Sequence, residues 1–211
     1  MIDPFVKYKV EKSVVYSLEY LKLKITQQQL TKIKDISRDC IANNFQGLKP
    51  FGHQLAGHLK HEYICPKNLS IELHGILNDL QPILSQENLG IIINDEGNPE
   101  LWINFQEKGE TNPLHTHKGL LSFVLWVEIP YERHKTKRNQ GVVDGGFTFA
   151  IPCPSYIEQS GIFLDFIDVD KTMEGTLIIF PSSWHHYVVA FNNSDDFRIS
   201  ISGNLGPVYG K

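Results

Sequence analysis

Two histidines separated by a single residue are the clearest sign of chemistry in this sequence. They are His115 and His117, in the segment Asn-Pro-Leu-His-Thr-His-Lys-Gly at residues 112–119. Because side chains of an extended strand alternate between its two faces, both imidazoles point to the same side if this segment is a strand. Two imidazoles on one face provide half of a site for a divalent metal ion.

A third candidate ligand comes from two adjacent histidines, His185 and His186, which follow the segment Phe-Pro-Ser-Ser-Trp. Neighbouring side chains on a strand point to opposite faces, so only one of the two can join His115 and His117. Three neutral imidazoles would leave coordination positions open for water, oxygen or a second ligand. Since imidazole binds iron, zinc, copper and nickel, the ligands alone do not identify the metal.

An arginine near the end of the chain favours an acidic ligand beside this metal. Arg198 shares one face of a predicted strand at 197–202 with Ser200 and Ser202. A guanidinium binds a carboxylate through paired, charge-assisted hydrogen bonds, and a neighbouring serine can add another. A carboxylate anchor close to an open metal site suits a 2-oxo acid that chelates the metal.

The elements that must position these side chains are mostly short strands. Helical spacing of apolar residues predicts helices at 27–44 and 70–84, and β-prone segments predict early strands within residues 5–25. From residue 99 onward, strands are predicted at 101–106, at the histidine segment, and at 121–129, 146–151, 162–167, 176–180, 184–191 and 197–202. Many short strands without a βαβ rhythm predict a closed or double-sheet antiparallel architecture, with the helices covering one outer face.

Two further groups of polar residues have no role that their spacing reveals. Residues 131–145 form a basic connection between strands, which we expect on the surface, with a mobile lid beside the site as the alternative. His53, His58 and His61 show no paired ligand spacing. We expect these three histidines on the surface or in local hydrogen bonds.

Composition and charge exclude several classes of protein. The 211 residues carry a formal net charge of −4, which argues against the basic surface of a nucleic-acid-binding protein. No apolar run approaches the roughly 18 residues of a membrane-spanning helix, and no signal peptide is apparent at the N-terminus. Cys40, Cys65 and Cys153 are widely spaced and odd in number, as expected in a reducing compartment. We therefore expect a cytoplasmic protein that binds neither membrane nor nucleic acid.

The chain from residue 101 to residue 204 resembles the 2-oxoglutarate/Fe(II)-dependent oxygenase superfamily, and most closely a set of oxygenases from bacteria and their phages. Two motifs carry the resemblance, NPLHTHKG and FPSSWHHYVVAFNNSDDFRISISGN. The resemblance implies a mainly β fold, the double-stranded β-helix or cupin-like jelly roll, buttressed by N-terminal helices. The length of the chain predicts one domain, or one domain with an N-terminal extension, and we expect supporting strands and helices at 1–98 and the β-helix core at 99–211. The resemblance also implies the cytoplasm of a bacterium or a phage-infected host cell.

The resemblance assigns a role to each residue that matches the motifs. His115 falls at the first metal ligand and His186 at the distal one. Arg198 falls at the residue that binds the far carboxylate of 2-oxoglutarate, with Ser200 completing an Arg-x-Ser pair. Asn104, on the preceding strand, lines the same pocket. The implied cofactors are Fe(II) and 2-oxoglutarate, and no catalytic residue is implied beyond the metal ligands.

His117 departs from the usual pattern of the superfamily, which has an aspartate or glutamate at this position. The site is then one negative charge poorer. Its spacing from His115 favours iron bound by three histidines. The alternative is that His117 lies outside the metal's coordination shell and another group completes the site.

The resulting functional hypothesis is a dioxygenase that hydroxylates an unidentified substrate, either a small molecule or a protein side chain. A homodimer is a possible assembly. One alternative is a cupin-like metal-binding protein or enzyme that does not use 2-oxoglutarate, in which Arg198 binds a different acid. The other alternative is a non-catalytic jelly-roll module with a structural role.

Overall fold

The computed structural model describes residues 19–52, 56–57, 59–80, 89–92, 99–131, 144–153 and 161–207. The early strands expected within residues 5–18, His53, His58 and most of the 131–145 connection lie outside the described residues. The elements in chain order are β1 (Leu21–Lys24), α1 (Gln27–Ala42), β2 (Glu62–Ile64), α2 (Lys67–Leu80), β3 (Leu89–Ile91), β4 (Leu101–Gln106), β5 (Asn112–His115), β6 (Leu121–Glu128), β7 (Phe147–Pro152), β8 (Ile162–Ile167), a 3₁₀ turn (Lys171–Met173), β9 (Thr176–Pro181), β10 (His185–Val188) and β11 (Arg198–Pro207).

The strands form two antiparallel sheets. The larger sheet has the order β1-β9-β6-β11-β4-β2, with β3 also paired to β11, and the smaller sheet has the order β5-β10-β7-β8. The predicted mainly β, double-sheet jelly roll with N-terminal helices is therefore confirmed. The proposed division at residue 98 stays a prediction, although β1 and β2 both pair with strands of the C-terminal part.

Alternation in the central strands of the larger sheet separates an apolar face from a polar one. Leu101, Ile103 and Phe105 on β4 are fully buried in a core that includes Ile33 of α1 and Leu73 of α2. Because successive side chains on a strand point to opposite faces, Trp102, Asn104 and Gln106 face the smaller sheet instead. The two helices therefore cover the outer face, and the inner face is left to form the site.

Helix α1 begins at a capping box that its sequence encodes. The Thr26 side chain accepts a hydrogen bond from the backbone N–H of Gln29, whose side chain in turn accepts one from the backbone N–H of Thr26. The predicted helices at 27–44 and 70–84 are confirmed over Gln27–Ala42 and Lys67–Leu80. No helix in the described part of the chain is long and apolar enough to cross a membrane.

Aromatic and aliphatic side chains fill part of the space between the two sheets. Phe147, Phe149 and Ile151 of β7 pack against Trp126 of β6 and Phe180 of β9 in a second core cluster. The packed rings of Phe149 and Phe180 have centroids 5.0 Å apart. Polar side chains from the inner faces of the sheets point into the rest of this space, and they include the candidate site residues.

Candidate metal centre

His115 and His186 are brought together by strand pairing. They are direct register partners on β5 and β10, and their ring centroids lie 4.2 Å apart. His186 is buried between the sheets, where it stacks on Phe147 at a centroid distance of 5.4 Å. The hydrogen-bonded ladder therefore holds these two imidazoles next to each other through backbone contacts alone.

His117 completes the group from just beyond the end of β5. Its backbone N–H donates to the carbonyl of Ser182 at 2.9 Å, which ties this residue to the turn before β10. Its ring centroid lies 4.8 Å from that of His115 and 5.0 Å from that of His186. One ring nitrogen from each of the three histidines lies within 4.8 Å of the others. The structure thus gathers the three histidines of the sequence hypothesis at one point.

Hydrogen bonds to the backbone orient two of the three rings. Nδ1 of His115 lies 2.6 Å from the carbonyl of Pro113, and Nδ1 of His186 lies 3.0 Å from the carbonyl of Trp184. A carbonyl only accepts, so each Nδ1 carries the proton and each Nε2 keeps a free lone pair. This arrangement is typical of metal-binding histidines, whose second nitrogen is fixed by a backbone or carboxylate partner.

Burial keeps the three imidazoles neutral. Desolvation, with smaller contributions from His186 and His115, lowers the pKa of His117 to about 2. Desolvation together with the neighbouring His115 lowers the pKa of His186 to about 3, and burial also lowers the pKa of His115. A metal ion binds only the neutral imidazole, so the donor set suits a divalent cation at neutral pH.

His185 is separated from this group by the alternation of β10. It pairs with Ala150 of β7, whereas His186 pairs with Phe149. Among the described residues, the group of potential metal ligands contains His186 and not His185. The geometry therefore agrees with the assignment that the sequence resemblance made between these two neighbours.

Arg198 lies in the same pocket and is buried, with 4% of its surface exposed. Its guanidinium donates to the carbonyl of Gly145 at 2.6 Å, to the hydroxyl of Tyr131 at 3.1 Å and to the side-chain oxygen of Gln106. All three acceptors are uncharged. Within the described part of the chain, Arg198 has no carboxylate partner, and its Nε has no acceptor.

Ser200 and Asn104 occupy the position between Arg198 and the histidines. They are register partners on β11 and β4, and both line the pocket. The amide nitrogen of Asn104 lies 3.5 Å from the hydroxyl of Ser200, which is long for a strong hydrogen bond. Both side chains thus keep capacity to bind a ligand, as their predicted place beside a cosubstrate requires.

One cavity is lined by all six of the residues that the sequence hypothesis selected. Its aromatic walls are formed by Trp102, Phe123, Trp126, Phe147 and Phe180. The cavity contains three potential metal ligands and a guanidinium that has no carboxylate partner among the described residues. It is therefore a candidate active site for an anionic ligand that also reaches the metal.

The sequence profile of the family described as "Putative 2OG-Fe(II) oxygenase" matches residues 100–204, about half of the chain. These residues contain all three histidines and Arg198. The chain belongs to the 2-oxoglutarate/Fe(II)-dependent oxygenase superfamily. The prediction of Fe(II) and 2-oxoglutarate as cofactors is confirmed at the level of this family.

Solved structures of other oxygenases share the fold. A prolyl-4-hydroxylase from Pseudomonas putida aligns with a TM-score of 0.54 and 13% identity, over 92% of this chain and 95% of that one. The α-ketoglutarate-dependent carbocyclase SnoK of nogalamycin biosynthesis aligns with a TM-score of 0.57 and 11% identity, over 92% and 90%. EctD from S. alaskensis, with 2-oxoglutarate and 5-hydroxyectoine, aligns with a TM-score of 0.55 and 13% identity, over 98% of this chain and 82% of that one. No curated protein sequence matches.

Several pocket residues of this superfamily member were not apparent from the sequence. Gln106 and Tyr131 hold the guanidinium of Arg198, and Asn112 lines the cavity beside His115. Alternation along β4 could have revealed Gln106, which shares a face with Asn104. Asn112 follows a different rule. Four residues of β5, from Asn112 to His115, oppose three of β10, from His186 to Val188, and this bulge turns both side chains into the cavity.

Proposed function

We propose that this protein is a 2-oxoglutarate-dependent dioxygenase that hydroxylates its substrate, with Fe(II) held by His115, His117 and His186. The observation that carries the proposal is the burial of Arg198 without an acidic partner among the described residues, in the same cavity as three neutral imidazoles. A buried unpaired charge is costly, so the cavity favours an anion. An anion that also reaches the metal fits a 2-oxo acid.

The three histidines would hold the metal, His115 and His186 through their Nε2 atoms. Bound iron and 2-oxoglutarate together supply the activation of dioxygen, in which one oxygen atom enters a C–H bond of the substrate and the cosubstrate becomes succinate and carbon dioxide. Because three histidine ligands are neutral, they give the ion no negative charge. The site therefore favours an anionic ligand more strongly than a site with a carboxylate would.

Arg198 would bind the far carboxylate of 2-oxoglutarate. It pairs with Gln106, four residues along β4 from Trp102, whose ring lies 5.4 Å from that of His117. Four strand residues span roughly 13 Å. An arginine side chain and a five-carbon dicarboxylate together bridge this distance. The free Nε of Arg198 and the Ser200 hydroxyl would donate to the carboxylate.

The aromatic walls would shield the reacting groups from water. Trp102 lies against His117, and Phe147 stacks on His186. Apolar surroundings lower the local dielectric and strengthen the attraction between the guanidinium and a bound carboxylate.

The residue roles are proposals, and several broader expectations stay predictions. These are the small-molecule or protein side-chain nature of the substrate, a homodimer, the absence of nucleic-acid and membrane partners, and a cytoplasmic location. The cupin-like alternative differs from the proposal in one observable respect. It retains the metal but does not require 2-oxoglutarate.

Release of succinate from 2-oxoglutarate tests the proposal without knowledge of the substrate, because these reactions run slowly when uncoupled. The Fe(II)-loaded protein should form succinate in air, and Arg198→Met should lower this rate at subsaturating 2-oxoglutarate by about 100-fold, the value of two charged hydrogen bonds. Arg38→Met, which removes an exposed arginine paired with Glu128, is the matched control. Equal rates in the wild type and Arg198→Met would contradict the proposal.

A further inference from the structure

A buried carboxylate lies on the same sheet face as the metal site. Glu62 on β2 is 3% exposed, and it is the register partner of Asn104 on β4. Directly opposed residues of antiparallel strands point to the same face, so Glu62 extends the row formed by Asn104 and Ser200. Neither carboxylate oxygen of Glu62 has a hydrogen-bond partner within the part of the chain that the structure describes.

Two amide oxygens nearby share this property. The side-chain oxygens of Asn104 and Asn112 are buried, and neither has a donor among the described residues. Both residues line the cavity that contains the histidines. Asn112 reaches it because of the bulge in β5, described above. Three neighbouring side chains thus each present at least one acceptor oxygen that no group of the described chain satisfies.

Gly57 leaves the space between two of these acceptors open. A Cβ atom on Gly57 would lie 2.9 Å from the side-chain oxygen of Asn112 and 3.4 Å from Oε1 of Glu62. The two oxygens therefore flank one point, which any larger residue at position 57 would fill. Leu59, two residues after Gly57, lines the cavity, so this segment lies beside the metal site.

Unpaired buried acceptors are rare because each loses its hydrogen bonds to water. Among the described residues, no lysine, arginine or histidine forms an ion pair with Glu62. Burial, with a contribution from the charge of Glu110, raises the pKa of Glu62 to about 7. A ligand that brings several N–H donors and a positive charge would satisfy the oxygens and restore the ionised carboxylate.

We propose that Glu62, Asn104 and Asn112 form the subsite for a cationic nitrogen group of the substrate, a primary ammonium or a guanidinium. The inference rests on the proposed function, since it names the class of substrate that the same cavity accepts. The cation donates to the Glu62 carboxylate and to the two amide oxygens, beside Gly57. Arg198 inside the cavity and Glu62 beside it then carry opposite charges, one for the cosubstrate and one for the substrate.

The position of the subsite limits which carbon is oxidised. Asn112 and His115 are three residues apart on β5, which places the cation within roughly 10 Å of a metal ligand. The reactive C–H bond is then a few bonds from the nitrogen. A free alkylamine or alkylguanidine and the side chain of lysine or arginine in a peptide all have this layout.

Binding of simple cations to the Fe(II)- and 2-oxoglutarate-loaded protein under argon tests the subsite. The probes are n-butylammonium and n-butylguanidinium, with n-butanol as the neutral analogue, and the blocked tripeptides acetyl-Gly-Lys-Gly-amide and acetyl-Gly-Arg-Gly-amide. At least one cation should bind saturably and more tightly than n-butanol by calorimetry. Preference for the free cations or for the tripeptides identifies the source of the group.

Two variants assign the binding to this place. Glu62→Gln keeps the shape and removes the charge, and Gly57→Ala fills the gap between the acceptors; each should weaken the preferred cation by at least about tenfold. Glu72→Gln, which changes a partly exposed glutamate paired with Lys32, should leave the affinity unchanged. Asn104 is not substituted in this test, because it also lies beside the expected cosubstrate. Melting temperatures identify any variant that does not fold.

The outcomes separate this inference from the proposed function. No cation binding to the wild type, or equal binding to the wild type, Glu62→Gln and Gly57→Ala, would overturn the subsite. The visible band of chelated 2-oxoglutarate in the wild type is recorded in the same samples. If the band forms and the cations do not bind, the oxygenase proposal stands without the subsite. If cations bind as expected without a band, the subsite stands and the oxygenase proposal fails.

Discussion

His115 and His186 face each other across two antiparallel strands, with their rings 4.2 Å apart and each Nδ1 bonded to a backbone carbonyl. Backbone pairing thus places the two imidazoles, and backbone carbonyls set their tautomers. Neither feature depends on a metal. A site organised in this way binds its ion with little rearrangement. Affinity is favoured because the histidine side chains lose their conformational entropy during folding and not during metal binding.

Loss of either facing histidine should abolish tight metal binding. His115→Ala and His186→Ala each remove a ligand, and we expect Fe(II) affinity to fall by more than about 100-fold, since loss of a supporting group alone costs 10- to 100-fold. His185→Ala is the control, because His185 lies outside the group. Metal content after dialysis and competition with a chelator measure the effect. Weak binding by His185→Ala and tight binding by His186→Ala would reverse the assignment.

His117 has its own pair of variants in the same assay. His117→Asp restores the carboxylate that is usual in the superfamily, so we expect it to retain one iron per chain. His117→Ala should lose affinity to the extent of the other two alanine variants. If His117→Ala binds iron as tightly as the wild type, His117 lies outside the coordination shell.

Acid should destabilise the metal-free protein. The folded state holds His117 and His186 neutral, with pKa values of about 2 and 3 against an ordinary 6.5. As the pH falls below 6.5, the unfolded chain takes up protons that the folded chain does not, so the free energy of unfolding decreases. The limit is about 1.4 kcal/mol per pH unit for each histidine. Urea unfolding between about pH 7 and pH 5 measures the slope. A free energy of unfolding that does not change over this pH range would contradict the burial of the two imidazoles.

Glu62 should act on stability in the opposite direction. Its pKa is raised from 4.5 to about 7, so above pH 4.5 the unfolded chain ionises while the folded chain keeps its proton. Stability is therefore lost as the pH rises from 4.5 to 7. Glu62→Gln removes this loss and should stabilise the ligand-free protein at about pH 8 by on the order of 2 kcal/mol. Destabilisation by Glu62→Gln, measured by urea unfolding, would instead indicate that the carboxylate has a structural role.

Gly119 ends the first motif in a conformation that other residues rarely adopt. Its φ is +97°, and an added Cβ would lie 2.8 Å from the carbonyl oxygen of Leu205 and 2.7 Å from the Ile92 side chain. Gly109 has a φ of +80°, and a Cβ added there would have no atom of the described residues within 4 Å, so it is a matched control. Gly109→Ala should cost about 1 kcal/mol and Gly119→Ala at least about 3 kcal/mol, because only the second also clashes. Equal losses by denaturant unfolding would contradict the close packing.

Much of the β core could be predicted because alternation and turn residues fix short strands locally. The strand over Leu101–Gln106 and the strand over Ile162–Ile167 have the predicted bounds. The strand predicted at 184–191 is shorter in the structure, His185–Val188, and the one predicted at 197–202 continues to Pro207. These ends depend on partners that are distant in sequence. Leu205, for example, pairs with Ile91 and Leu121.

The histidines and Arg198 could be selected from spacing and residue type, since their chemistry is unusual on a strand. Asn112 could not, because the β5 bulge that turns it inward depends on the register with β10. Glu62 could not either. Its strand has only three residues, and only the pairing with Asn104 shows that Glu62 lies on the same sheet face as the site. Residues that act through register are therefore the ones that sequence patterns miss.

Anaerobic titration of the Fe(II)-loaded protein with 2-oxoglutarate tests whether the histidines and Arg198 together bind the metal and the cosubstrate. We expect one iron per chain and a visible charge-transfer band that saturates with 2-oxoglutarate in the wild type. We expect no band in His186→Ala, which lacks the metal, and a band only at much higher 2-oxoglutarate in Arg198→Met, which keeps the metal. Bound iron without any band in the wild type would contradict the proposed oxygenase and favour a cupin-like metal protein.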